Sequence, residues 1–335
     1  MFSFQRQLNS NSMFSLSYVG TQGHRLLADL ESNPANPALC LSLSQPSEVM
    51  PGTATCGPFA EDSTFYPITG GVIQSVRTVF TNGLGSNGWF ATMANSNYNA
   101  LEVSLRHTSK RAAILMSYTY SKALDNASSW GPGMGDAGEQ INPVNYKLSK
   151  ALSAFDMTHN FVVSYSYELP FDKLFSHNRL TAGWIITGIT RYTTGLPVTM
   201  TEQDDNSLLG TFCTGPTCAV VDTPNFTRGP LNFQDPRSGK PYFNTSLFTP
   251  ETLGQRGNSN RRFFHGPGIA NWDFGLLKDL HLTETKSLEF RAEFFNIFNH
   301  AQFGLPQGDI INSSFGMVTS AAAPRIGQVA AKLEF

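Results

Sequence analysis

Charge is what this sequence has least of. Only 14% of its residues are Asp, Glu, Lys or Arg, against roughly a quarter in ordinary soluble proteins. Phe alone (26) outnumbers Lys and Arg together (23). The few charges nearly cancel, to −2, and they form no basic run, which argues against nucleic acid and against a polybasic membrane tether as partners. Long apolar runs are missing too: none approaches the roughly 18 residues of a membrane helix, so any bilayer crossing must use strands. The start, Met1-Phe2-Ser3-Phe4-Gln5-Arg6, lacks the basic segment, apolar core and small-residue cleavage site of an export signal. Either export is not its route, or the chain begins inside a longer protein. The histidines (His24, His107, His159, His177, His265, His281 and His300) are dispersed, with no HxxxH or HxH spacing, and neither a GxSxG elbow nor a phosphate loop occurs. The expectation is therefore no catalytic, cofactor-binding or metal residue, and no enzyme.

What is present is two-residue alternation. Leu101, Val103 and Leu105 alternate with Glu102, Ser104 and Arg106, and Ile114, Met116, Tyr118 and Tyr120 with Leu115, Ser117, Thr119 and Ser121. The same holds for Phe161, Val163, Tyr165, Tyr167 and Leu169 against Asn160, Val162, Ser164, Ser166 and Glu168. Leu288, Phe290, Ala292 and Phe294 oppose Glu289, Arg291 and Glu293, and Val329, Ala331, Leu333 and Phe335 oppose Gln328, Ala330, Lys332 and Glu334. Each is a strand with one apolar and one polar face. Partial alternation and β-branching add Phe2 to Leu8, Met13 to Gly20, Leu180 to Gly195 and Asn271 to Leu280, making nine strands.

The connections alternate in length. Asn9–Ser12, His107–Lys110, Pro170–Arg179 and His281–Thr285 are short or medium-short. Thr21–Ser96, Lys122–Asp156, Leu196–Ala270 and Asn299–Pro324 are long. In an up-and-down transmembrane barrel every second connection lies on the same side, with short periplasmic turns and long outer loops. The predicted fold is therefore all-β: an antiparallel up-and-down transmembrane β-barrel, as a partial barrel of about nine or ten strands with long extracellular loops and Phe335 on the periplasmic side. Gly- and Pro-rich stretches such as residues 130–135 and 254–257 predict loops poor in helix. Nine strands also break the even count expected of single-chain barrels, so either one strand is hidden or the chain opens partway round the wall.

Several residues have two readings. Tyr98, Tyr120, Tyr167, Trp184, Tyr192 and Trp272 sit near strand ends, placed for interfacial girdles or for packing on loops. Cys40 with Cys56, and Cys213 with Cys218, are candidate loop disulfides of an oxidising compartment. Glu202-Gln203-Asp204-Asp205-Asn206 has the composition of a calcium loop without its Gly and terminal Glu spacing, so a plain solvated loop is the competing reading. Glu289, Arg291 and Glu293 read as a cross-strand network on the wet face or as a lumenal charge cluster.

A resemblance rests on four phrases: Ser96-Asn97-Tyr98-Asn99-Ala100-Leu101, Ser117 to Asp125, Thr194-Gly195-Leu196-Pro197 and Arg291 to His300, together with a terminal strand Arg325 to Phe335 that ends on an aromatic. In these the chain resembles the C-terminal barrel of TonB-dependent outer-membrane receptors, especially the Oar-like group. The resemblance implies that residues 1–335 are the C-terminal portion of an outer-membrane β-barrel domain whose plug and N-terminal domain are absent. It implies location in the bacterial cell outer membrane, ligand binding or uptake in the intact protein, and as partners outer-membrane lipid, the barrel assembly machinery, a TonB-type energy-coupling complex and an unknown ligand. It further implies that Val329, Leu333 and Phe335 form a C-terminal assembly signal. The alternative is a structural or adhesive outer-membrane surface protein without transport.

Overall fold

The computed structural model describes residues 1–43, 66–67, 73–74, 88–128, 140–142, 144–175, 178–202, 206–209, 222–283 and 285–335. All nine expected strands are present: β1 (Phe2–Asn9), β2 (Ser12–Glu31), β3 (Gly88–Thr108), β4 (Ala112–Asp125), β5 (His159–Glu168), β6 (Trp184–Thr193), β7 (Ile269–His281), β8 (Ser287–Phe295) and β9 (Ile326–Glu334). They hydrogen-bond in chain order, each antiparallel to the next. Two-residue strands, Gln140–Ile141 and Ala151–Leu152, pair with the outer ends of β2 and β4. Among the described residues no helix is long and apolar enough to cross a membrane.

Paired residues share a face, so the register sorts the side chains into two sets. One row reads Phe14, Leu105, Met116, Val163, Thr190 and Trp272 across β2 to β7. The row beside it, one residue along each strand, reads Ser15, Ser104, Ser117, Val162, Arg191 and Asn271. The first set faces hydrocarbon and the second faces water, as a barrel wall requires. Glu289 lies opposite Lys332 on the polar face and also pairs with Arg291 along its own strand, while the Gln328 amide donates to Glu293 at 2.6 Å.

Aromatic rings mark both rims of the apolar face. Towards the long loops, Phe161, Tyr192, Trp272 and Phe298 form a chain of rings 5.0–6.4 Å apart, and Tyr118 and Tyr120 flank His159. Towards the short turns, Trp184 donates to the Leu180 carbonyl at 2.7 Å and meets Phe171 edge-on. Lys278 shares this face with Trp184 and turns its ammonium back to the carbonyls of Arg179, at 2.8 Å, and Ala182. Its stem therefore runs along the wall while its charge reaches the periplasmic rim. Trp184 and Tyr192 lie at opposite ends of one strand, roughly 26 Å apart at about 3.3 Å per residue, which with tilt suits the apolar band of a barrel. Tyr98 departs from the girdle: it pairs with Thr21 and Ala123 on the polar side.

Gly188 shows why the apolar face tolerates a glycine. A Cβ there would meet the Tyr165 hydroxyl at 2.4 Å, so the missing side chain is what lets that ring lie across β6. At the other end of the wall, Asn296 and Asn299 adopt left-handed backbone, φ 54° and 51°, a conformation Asn accepts more readily than most residues. The Asn296 side chain bonds both the N–H and the carbonyl of His300, and Asn299 accepts from the Arg325 N–H at 3.0 Å. The phrase ending in Asn-Ile-Phe-Asn-His therefore clamps the exit of β8 to the entry of β9.

One expectation needs correction. β2 and β3 run 20 and 21 residues, well past the Gly20 and Leu101 limits of their alternation. About ten tilted residues suffice for a bilayer, so both strands continue outside it. The register breaks between Gly23 and Leu27, with Arg25 at φ 55°; such a bulge re-aims a strand where its lipid contact ends. Among the described residues the long loops hold one short α-helix, Pro37–Leu43, in keeping with loops poor in helix.

The face assignment makes Val163→Arg and Ser164→Arg a discriminating pair. At the mid-wall the first should cost about 2–4 kcal/mol and the second much less, read as urea midpoints of lipid-embedded protein by gel mobility. Equal costs would contradict the assignment.

Candidate functional site

Two of the long loops, following β6 and β8, fold into a core of their own over the mouth of the wall. Val198, Met200, Phe243, Phe248 and Phe264 are buried there, with Phe226, Leu231, Tyr242, Leu247, Phe263, Ile310 and Phe315 packed around them. Phe243 sits at the centre, 5.0 Å from Phe264, 5.5 Å from Phe315 and 5.6 Å from Phe248 by ring centroid, all edge-on. Each such pair adds about 0.5–1.5 kcal/mol beyond burial. Backbone closeness helps: a Cβ on Gly257 would lie 1.8 Å from the Thr223 carbonyl, so only glycine lets the two segments touch. Sequence reading missed this core because its phenylalanines have no period and come from segments far apart in the chain.

A polar layer ties that core to the wall. Arg261 pairs with Asp125 at 2.5 Å and donates to the Ser149 carbonyl at 2.8 Å, while Ser128 and Ser153 also donate to Asp125. Asp156 accepts the Ala123 N–H and bonds His265 at 2.8 Å; Arg262 donates to Thr199 at 2.7 Å. Burial lowers the Arg261 value, and Asp125 opposes that fall. A buried pair of this kind is costly to break, because the surviving partner stays in low dielectric.

Deeper in the loops Glu202, Asp222 and Glu251 gather beside Arg256. Glu202 is fully buried and accepts from Asn206 at 2.5 Å; Asp222 accepts the Ser207 N–H. Burial, then Glu202 and Asp222 alongside, pushes the Glu251 carboxyl up to about 10. Of the acidic run, Glu202 and Asn206 are therefore bonded to each other, and Gln203, Asp204 and Asp205 lie outside the described residues. Among the described residues no group of three acidic, His or Cys side chains could hold a metal ion.

On the polar face below, a cavity of about 770 Å³ spans β3 to β8, lined by Arg106, Ser164, Ser166, Thr187, Asp273 and Glu293 among others. With both charge signs and several hydroxyls, it suits water and polar solutes. Val329 and Leu333 are exposed on the apolar face of β9, and Phe335, also exposed, follows it. Cys40 is disulfide-bonded; Cys56, Cys213 and Cys218 lie outside the described residues. Among the described residues the histidines serve separately: His107 with Ser12, His24 with Asn95, His159 with Tyr118.

A family model described as an outer membrane beta barrel domain matches residues 1–328. No curated protein matches. Among solved structures the chain is similar to the outer membrane transporter YddB from Escherichia coli, with a TM-score of 0.45, 11% identity, and 99% of this chain and 31% of that one covered. It is also similar to the ferric-catecholate import receptor Fiu from E. coli K12 in its closed form, with a TM-score of 0.34, 11% identity, and 99% and 34% covered. The chain spans about a third of the length of each.

Phe243→Ala should cost about 3–5 kcal/mol in the loop core, raising amide exchange in residues 222–268 while the strand amides stay protected. A separate test concerns Glu251. A carboxyl whose folded value lies above its unfolded one keeps its proton when folded, so its contribution is complete below the ordinary carboxylate range and fades as pH rises towards 10. Loop amide exchange should therefore quicken with rising pH beyond its intrinsic rate, and Glu251→Gln should remove that excess.

Proposed function

The chain belongs to the outer membrane beta barrel domain family and lies in the bacterial outer membrane, and from that premise we propose that it is the C-terminal portion, residues 1–335, of a TonB-dependent receptor or transporter barrel of the Oar-like kind. The intact protein binds a ligand at the packed outer loops and takes it up through periplasmic energy coupling. Val329, Leu333 and Phe335 are then the terminal signal read by the barrel assembly machinery. The outer loops carry the disulfides Cys40–Cys56 and Cys213–Cys218.

One observation carries this reading: β1 and β9 run the same way. With every neighbour antiparallel and nine strands in the path, both edge strands point towards the periplasm. Pairing them would make a single parallel seam in an otherwise antiparallel wall. A second copy inserted in the same sense offers only the same directions. Hydrocarbon leaves no edge unpaired, which supports reading the wall as a sector of a wider barrel that an odd number of further strands would complete. Wide barrels with filled mouths are the architecture of outer-membrane transporters. The four quoted phrases, one of which forms the Asn296–Asn299 clamp, support the Oar-like assignment.

The coding region upstream of Met1 tests this. The expected finding is an odd number of further strand-length segments preceded by a plug with a coupling box. A bare export signal there would overturn the transport reading and favour an adhesive surface protein. The protein made from the longer frame should show heat-modifiable mobility in detergent, and the 335-residue chain alone should not.

A further inference from the structure

We propose that the wall just above the outer aromatic rim of β4 is a binding site for the phosphate groups of an outer-leaflet glycolipid. The proposal goes beyond ligand uptake and rests only on the long loops facing outward. Tyr120 is an exposed rim aromatic on the lipid side of β4. Two residues further from the membrane on the same face stands Lys122, exposed, and two further again Leu124. The strand residues that alternate with them, Ser121, Ala123 and Asp125, are buried against the loops. At this height, therefore, one side of the strand packs inward and the other looks out over the membrane surface.

The segment 144–150 is laid against that outward side. Leu152 pairs with Leu124, and Lys147 and Lys150 line hollows of about 500 and 520 Å³ that both include Leu124 and Lys150, the second also including Lys122. The segment is firmly built. The Asn142 side chain accepts from the N–H groups of Val144 and Asn145, Ser149 accepts from Asn142, and Asn145 caps the turn Tyr146–Ser149. The lysines are presented by this scaffold rather than by a free tail. Lys122, Lys147 and Lys150 make no ion pair among the described residues. The nearby carboxylates are already engaged, Asp125 by Arg261 and Asp156 by His265.

A second observation, independent of charge, points the same way. Beside these lysines Val144, Tyr146 and Leu148 are exposed, at 71%, 44% and 53%. Apolar side chains held out by a capped turn, next to unpaired ammonium groups and just above an aromatic rim, are the composition of a segment that rests in a headgroup layer. Phosphate supplies the anion for the lysines, and the glycolipid's acyl chains lie against the wall below.

The test uses the protein made from the longer frame, purified from outer membranes in mild detergent and titrated with diphosphorylated lipid A, with dephosphorylated lipid A and with inorganic phosphate. Near an anionic surface each lysine contributes about a factor of five, so K122Q/K147Q/K150Q together should weaken binding of the diphosphorylated lipid about a hundredfold at low salt. The triple Arg variant should bind as the parent does. Substituting Lys173 and Lys286 by Gln at the short turns should change nothing, and heat-modifiable mobility should be intact throughout. Equal affinity of the parent and triple Gln protein would overturn the proposal. So would equal binding of the dephosphorylated lipid, or displacement by inorganic phosphate at concentrations comparable to the lipid, which would make this a free-phosphate site.

Discussion

Hydrocarbon offers no hydrogen bond to a peptide group, and the rest of this structure follows from that constraint. Within the membrane every N–H and C=O must find its partner on the neighbouring strand, so the chain is forced into one continuous ladder in sequence order. Once the ladder exists, a slip of a single residue would exchange lipid and water for every side chain on a strand. The register is thus held jointly by backbone and side chains: Phe14, Leu105, Met116 and Val163 keep to one side because Ser15, Ser104 and Ser117 keep to the other. Each cross-strand contact contributes only about 0.2–1 kcal/mol, yet they all favour the same alignment.

Outside the bilayer the constraint lapses and another organises the chain. Water can satisfy loop backbone, so what holds the described outer segments together is a core of their own, built from rings. Phe243 and its neighbours provide an interior that the wall lacks, and Arg261, Asp125, Asp156 and His265 fasten it down. The strand ends belong to both regimes: Ser121, Ala123 and Asp125 are buried under loops on one side while Lys122 is exposed on the other.

This division also decides what could be read from the sequence. Where lipid and water wet opposite faces, residues alternate, and five strands are visible as a period of two, with four more legible from partial alternation and β-branching. Where both faces meet water or protein, from about Thr21 to Glu31 and Gly88 to Asn97, the alternation fades although the strands continue. Tyr98 shows the same limit: an aromatic near a strand end suggested the rim, but its place in the register puts it on the polar side. The loop core was illegible because Val198, Phe243 and Phe315 come together only in three dimensions, and nothing in their spacing marks them. The acidic run beginning at Glu202 has a calcium loop's composition and the competing reading of a solvated loop, whereas Glu202 itself is buried among partners contributed by distant segments.

The strictly alternating direction of the strands has a consequence for how such a gene can change. Removing one strand with its adjoining turn would reverse every strand after it, carrying the phenylalanine-rich segments to the wrong side of the envelope and stranding Phe335 outside. Removing a hairpin, or duplicating one, leaves all later strands in their original sense. Evolutionary insertions and deletions in this wall should therefore come in pairs of strands, and a homologue that differs by a single strand would have had to invert half of its surface.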